Sequence, residues 1–173
     1  MMTAVELPDV LRLPRDQWAE HPHYPSQVLL MGSHEHFRHT SRSLVERARK
    51  GGDMAAIGWV FAAWKSAMAG HEHYEEGKLY PYLEARWGLS CDALRAGHHT
   101  LSELEAGVHA AIEREDREAL HATLGAHHDA LMEHLEIEET FVIPALLALS
   151  PDEFRRYANS GIRSLLADLH ERG

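Results

Sequence analysis

The sequence predicts an all-α fold: an antiparallel, up-down four-helix bundle with an N-terminal arm and a short C-terminal helical extension. Three observations predict it. Apolar residues recur about every 3.5 positions over four long segments and nowhere alternate as a strand requires. Cap and breaker residues fall at helix spacings, at Gly51-Gly52-Asp53, Gly88-Leu-Ser90, Asp116 and Ser150-Pro151. The chain also repeats itself. His71-Glu-His-Tyr-Glu75-Glu76, four residues, then Pro81-Tyr-Leu83 is echoed by His134-Leu-Glu-Ile-Glu138-Glu139, four residues, then Pro144-Ala-Leu146. Every matched position is offset by 63 residues, and one helix earlier each copy has a histidine in a similar setting, His34 and His98. Two helix pairs, each carrying a His and then a His-x-x-x-Glu, build a bundle whose interior can hold metal. The expected organisation is an arm over residues 1–24, the bundle over 25–149, and an extension of the same domain over 150–173.

Residues 1–24 contain Pro8, Pro14 and Pro22, and Leu13 and Trp18 are expected to pin this arm to the bundle. A first helix is expected from Ser26 to Lys50, with Leu30, His34, Phe37, Leu44 and Ala48 inward and His36 and His39 outward. Gly51-Gly52 ends it, and Asp53 caps the next. The second helix, Met54 to Arg86, has the stripe Ile57, Phe61, Trp64, Met68, His71, Glu75, Leu79 and Tyr82. Pro81 removes a backbone donor inside that pattern and should kink or loosen the helix. After the turn at Gly88, Ser90 caps a third helix with Leu94, His98, Leu101, Glu105, Val108 and Ile112 in one phase. Asp116 caps a fourth, whose inner face is Leu120, Leu124, Leu131, His134, Glu138, Phe141 and Ala145. Ser150-Pro-Asp-Glu153 is a capping box, and the extension is expected to break at Asn159-Ser-Gly161.

The chain of 173 residues suffices for one domain with a sizeable core. A formal charge of −10 argues against nucleic acid and anionic membrane as partners. The longest apolar stretch, Met54 to Trp64, is far short of the roughly 20 residues of a membrane span. Cys91 is alone, and the start Met-Met-Thr-Ala-Val-Glu-Leu-Pro has no signal-peptide pattern, so a cytoplasmic location is expected.

In a helix, residues i and i+4 lie one above the other, about 6 Å apart along the axis. Each repeat therefore presents an imidazole beside a carboxylate on an otherwise apolar stripe, a donor set suited to iron, manganese or zinc. A single His-x-x-x-Glu carries little weight. His99-x-x-x-Glu103 and His109-x-x-x-Glu113 share it off the stripe, and surface contacts are the simpler reading there. The framed, repeated pair with a histidine in each partner helix is far more specific. It nominates His34, His71, Glu75, His98, His134 and Glu138 as metal ligands, with Glu72, Glu76, Glu139, His36 and His99 as further candidates. No H-E-x-x-H zincin motif occurs, and Glu118-x-x-His121 has no counterpart in the second helix, as a ferritin-like site would require.

The pattern resembles the hemerythrin-like family, the HHE cation-binding domain. The matching residues are His34-Glu-His-Phe37-Arg38; His71, Glu75 and Glu76 with Tyr80-Pro81; the lone His98; and His134 with Glu138, spanning residues 26–148. The resemblance implies a four-helix bundle holding two non-haem irons bridged by two carboxylates and an oxo or hydroxo group, zinc or manganese being possible substitutes. Oxygen-carrying members have a fifth histidine, where this chain has Ser102, and an Asp where it has Glu138. The chain is more similar to the His–HxxxE–His–HxxxE subset, which includes oxygen and iron sensors and bacterial proteins that consume peroxide or nitric oxide.

Two octahedral irons offer twelve positions. Four histidines, two bridging carboxylates and a single-atom bridge fill ten, leaving two. Two open positions suit a small ligand spanning both metals. The leading expectation is a di-iron protein reacting with dioxygen, hydrogen peroxide or nitric oxide, sharpest as a catalase-like activity. The rival is a module that senses or binds oxygen or iron without turnover, and a third reading is a metal-stabilised bundle with no redox role. The second Glu of each pair is expected to hydrogen-bond a ligand histidine. Ser102 is expected to face the open position, and Phe37, Phe61, Trp64, Leu101 and Leu131 to wall the site.

Overall fold

The computed structural model describes residues 11–28 and 32–172, and among these there are helices and no strand. In chain order they are a 3-10 turn (Arg15–Gln17), α1 (Tyr24–Gln27), α2 (Gly32–Arg49), α3 (Met54–Tyr74), a π turn (Glu75–Leu79), α4 (Tyr80–Trp87), α5 (Asp92–Glu113), α6 (Arg117–Leu147), α7 (Pro151–Asn159) and α8 (Ile162–Arg172). Among the described residues, no helix is long and apolar enough to cross a membrane.

The expected first helix begins later than its sequence pattern. Its first residues form the separate short α1, with Pro25 in the opening turn. The side chain of Gln27 leaves this helix to donate from Nε2 to the carbonyls of Leu146 (2.6 Å) and Leu149 (3.1 Å). Those carbonyls lie at and just past the end of α6, where backbone acceptors run short of helical partners, and Leu146 O also accepts the Leu149 N–H. The predicted contact of Leu30 lies outside the described residues.

The local signals otherwise act as their chemistry requires. Gly51 takes φ +71° to end α2, and Asp53 Oδ1 accepts the Ala56 N–H at 2.6 Å. Gly88, at φ +66°, closes α4 with its N–H on Glu84 O. Ser90 Oγ accepts the Asp92 N–H, and Asp116 Oδ1 accepts that of Ala119. Ser150 and Glu153 form the reciprocal capping box, and the extension breaks at Ser160. Pro81 does more than bend the second helix. It follows a π turn in which Tyr80 N–H reaches back five residues to Glu75 O. A proline cannot donate to the carbonyl four residues earlier, and one inserted residue re-routes the ladder around that gap.

The chain packs as two compact units. One comprises the segments up to Gly32, His73–Leu94 and Ile137–Gly173. Its core gathers Leu79, Tyr80, Leu83, Phe141, Leu146 and Tyr157. The arm is fastened here: Trp18 is buried and donates to Leu13 O at 2.8 Å, and Arg15 pairs with Glu139 at 3.1 Å. The other unit comprises Ser33–Glu72 and Arg95–Glu136. Its core gathers Phe37, Phe61, Trp64, Met68, Leu101 and Leu131, which includes every residue expected to wall the site. In that unit Glu105, buried on the His98 face of α5, is neutralised by Lys65 at 3.1 Å.

Candidate metal centre

The site begins in the first turn of α2. His34 is buried there, and its Nε2 lies 2.9 Å from Nε2 of His71 on α3, with the two rings edge to face. Ser33 Oγ lies 3.2 Å from His71 Nδ1, so the ring is held at one nitrogen and presents the other. Phe37 packs against the same ring at 5.3 Å between centroids, and the Phe37 carbonyl accepts the Trp64 indole N–H.

The two carboxylates are also buried. Glu75 is 1% exposed at the start of the π turn, and Glu138 is 0% exposed on α6. Glu138 Oε1 accepts the hydroxyl of Tyr80 at 2.8 Å. Burial, then the nearby Glu138 and Glu75 carboxylates, push the Tyr80 hydroxyl far above its ordinary range, so it stays protonated and donates.

His34, His71, Glu75 and Glu138 each offer a ligand atom, and all four atoms lie within 4.8 Å of one another. This arrangement can be tested against a metal shell. Ligands about 2.1 Å from a metal stand about 3.0 Å apart when adjacent in an octahedron and about 4.2 Å when opposite. The 2.9 Å between the two Nε2 atoms is the spacing of adjacent ligands, and all four ligand atoms lie within 4.8 Å of one another, somewhat wider than the opposite-ligand spacing around a single ion. Two imidazoles and two carboxylates also form the mixed nitrogen–oxygen set that iron accepts. The residues therefore fit the metal that the repeat predicted.

His98 and His134 form a second pair, both buried, with ring centroids 4.7 Å apart. Gly97 on α5 is the reason the His134 ring can lie there. A Cβ at position 97 would overlap the ring, standing 3.1 Å from Cε1, 3.2 Å from Cγ and closer still to Nδ1. The sequence reading passed over this glycine, although a glycine inside a helix beside a candidate ligand signals close approach.

The other candidates separate cleanly. His36 and His99 are exposed, and His99 makes the expected surface contact with Glu103 at 3.4 Å. Glu76 is exposed, while Glu139 is buried and pairs with Arg15. Ser102 is exposed, which corrects the expectation that it faces an open metal position. His98 already occupies the inward phase, and the next residue to turn inward is Leu101.

Two further residues were missed. Tyr80 entered only through the Tyr-Pro of the family pattern, because a regular helix turns it away from the stripe. His127 is buried between Leu124 and Leu131 on the inner face of α6, at a position the 3.5-residue period would have found. It packs edge-on against Trp64 and Phe61. Burial, then His128 nearby, lowers its pKa to about 4, so it is a neutral core histidine.

Neither the curated proteins nor the solved structures yielded a match. A family model does match: Hemerythrin HHE cation binding domain, over residues 27–146. That span contains both copies of the repeat and all six nominated ligands. The chain belongs to the hemerythrin HHE cation-binding family.

Proposed function

We propose that this chain is a non-haem di-iron protein that reacts with dioxygen, hydrogen peroxide or nitric oxide, and that its activity is catalase-like consumption of peroxide. The observation that supports it is the convergence of His34, His71, Glu75 and Glu138 within 4.8 Å. In this reading His34, His71, Glu75, His98, His134 and Glu138 would hold two irons, with the His34–His71 and His98–His134 pairs on either side or crosswise. Two irons would supply a two-electron redox couple, which suits one peroxide giving two electrons and two protons as it becomes dioxygen, and a second taking them to become two waters.

The chain's own part is to bind, orient and exclude. Ser33 and Phe37 fix the His71 ring, and Tyr80 fixes Glu138. Phe37, Phe61, Trp64, Leu101 and Leu131 form an apolar setting that disfavours large polar substrates. The ligand count, four histidines without a fifth, favours turnover over oxygen storage.

The test is to load the protein with ferrous iron, count irons per chain, and follow peroxide with an oxygen electrode. One dioxygen per two peroxides is expected. A protein that holds two irons and evolves no oxygen would overturn the catalase-like reading and favour a module that binds or senses its ligand.

A further inference from the structure

We propose that Tyr80 is a positioning residue of the metal centre, holding Glu138 by one carboxylate oxygen so that the carboxylate meets the metal chiefly through the other. The inference rests on the metal-centre reading above and goes beyond it in making the two carboxylates inequivalent.

Three observations carry it. The Tyr80 hydroxyl donates to Glu138 Oε1 at 2.8 Å, and both residues are 0% exposed, so water does not compete for that oxygen. The backbone N–H of Tyr80 closes the π turn on the carbonyl of Glu75. One residue thus ties both carboxylate-bearing positions, by main chain to one and by side chain to the other. In a regular helix a residue five positions on stands about 140° round the axis. The extra residue of the π turn winds Tyr80 back toward the side of Glu75. Finally, the repeat itself is uneven here. Sixty-three residues after Tyr80 stands Ile143, which has no hydroxyl to offer.

A carboxylate bridging two metals uses both oxygens. An oxygen that already accepts a phenol O–H has a lone pair committed and is the weaker donor on that side. Glu138 is therefore the less symmetric ligand of the two, and removing the phenol should let it bind more evenly through both oxygens.

The experiment compares wild type, Tyr80→Phe and Tyr157→Phe. Tyr157 is also a buried phenol, and its hydroxyl partner is Tyr74. Each protein is loaded with ferrous iron without oxygen, and irons per chain, the Mössbauer spectrum and the rate of iron loss to a chelator are measured. Wild type should show two inequivalent irons. Tyr80→Phe should bring the two signals closer and change the rate of iron loss at least threefold, with Tyr157→Phe matching wild type. Should Tyr80→Phe fail to fold, 3-fluorotyrosine at position 80 keeps the hydroxyl and strengthens its donation, so the splitting should grow.

A Tyr80→Phe protein with wild-type spectrum and iron loss overturns the inference and leaves the metal centre standing. Equal changes in Tyr80→Phe and Tyr157→Phe also overturn it, since they would reflect general loosening. A wild-type chain that holds no metal overturns the metal-centre reading and this inference together.

Discussion

Gly97 and His134 are packed so closely that no side chain can stand between them: a Cβ at position 97 would come within 3.1 Å of His134 Cε1 and nearer to Nδ1. Replacing an interior helical glycine with alanine normally stabilises a helix by about 0.5–1 kcal/mol. At Gly125 of α6 a Cβ meets nothing within 4 Å, and Gly125→Ala should show that gain in a urea melt. Gly97→Ala should lose stability instead, by about 1–3 kcal/mol for an overpacked contact, and should bind less metal because His134 is displaced. Equal behaviour of the two variants would remove Gly97 from any role at the site.

Glu75→Ala and Glu138→Ala should each reduce bound metal to one ion per chain or fewer. Glu103→Ala serves as control, since Glu103 sits in the same His-x-x-x-Glu spacing but is 69% exposed, pairing with His99 at the surface. Its loss should leave metal content unchanged and stability within about 0.5 kcal/mol. Chelation of the wild type should lower its melting temperature, because metal binds the folded chain and no preformed site survives unfolding. Elemental analysis and calorimetry on the same samples check both statements.

His127 gives the metal-free protein an acid-sensitive element. Its folded pKa is lowered to about 4 by burial, while the unfolded chain takes up that proton near 6.5. Between those values the unfolded state binds the proton and the folded state does not, so stability falls as pH drops from about 6.5 to about 4 and levels below. The contribution present above pH 6.5 is on the order of 3 kcal/mol. His127→Leu should flatten that part of the stability–pH curve, measured by urea melts at half-unit steps.

Gln27→Leu should destabilise the protein by about 1–3 kcal/mol, because the Leu149 carbonyl loses its buried amide donor and the Leu146 carbonyl keeps only the Leu149 N–H. Arg15→Ala breaks an ion pair whose arginine side chain is 50% exposed, and should cost under about 1 kcal/mol. If the two losses are equal, the buried amide contributes no more than the surface ion pair.

Much of this protein is decided along the chain itself. A period near 3.5 residues places His34, Glu75, His98, His134 and Glu138 on buried faces, because side chains three and four apart must share a side of a helix. Asp53, Gly88 and Ser150 set their helix ends by bonds to backbone a few residues away, and such bonds need no distant partner. The six nominated ligands came from that phase and from a 63-residue repeat, both visible without a fold.

Tertiary structure decided what depends on close approach. The same Glu-Glu-x-x-x-x-Pro frame gives a π turn before Pro81, while α6 stays α-helical through Pro144. The shared frame does not dictate that difference; the packing of Tyr80 against Glu138 accompanies it. Whether Gly97 touches His134, whether Gln27 reaches Leu146, and whether Ser102 faces inward depend on side chains brought in from elsewhere in the chain. Periodicity tells which face a residue occupies, but only packing tells which atom meets it there, and a single inserted residue can rotate a side chain into a site that its phase excludes.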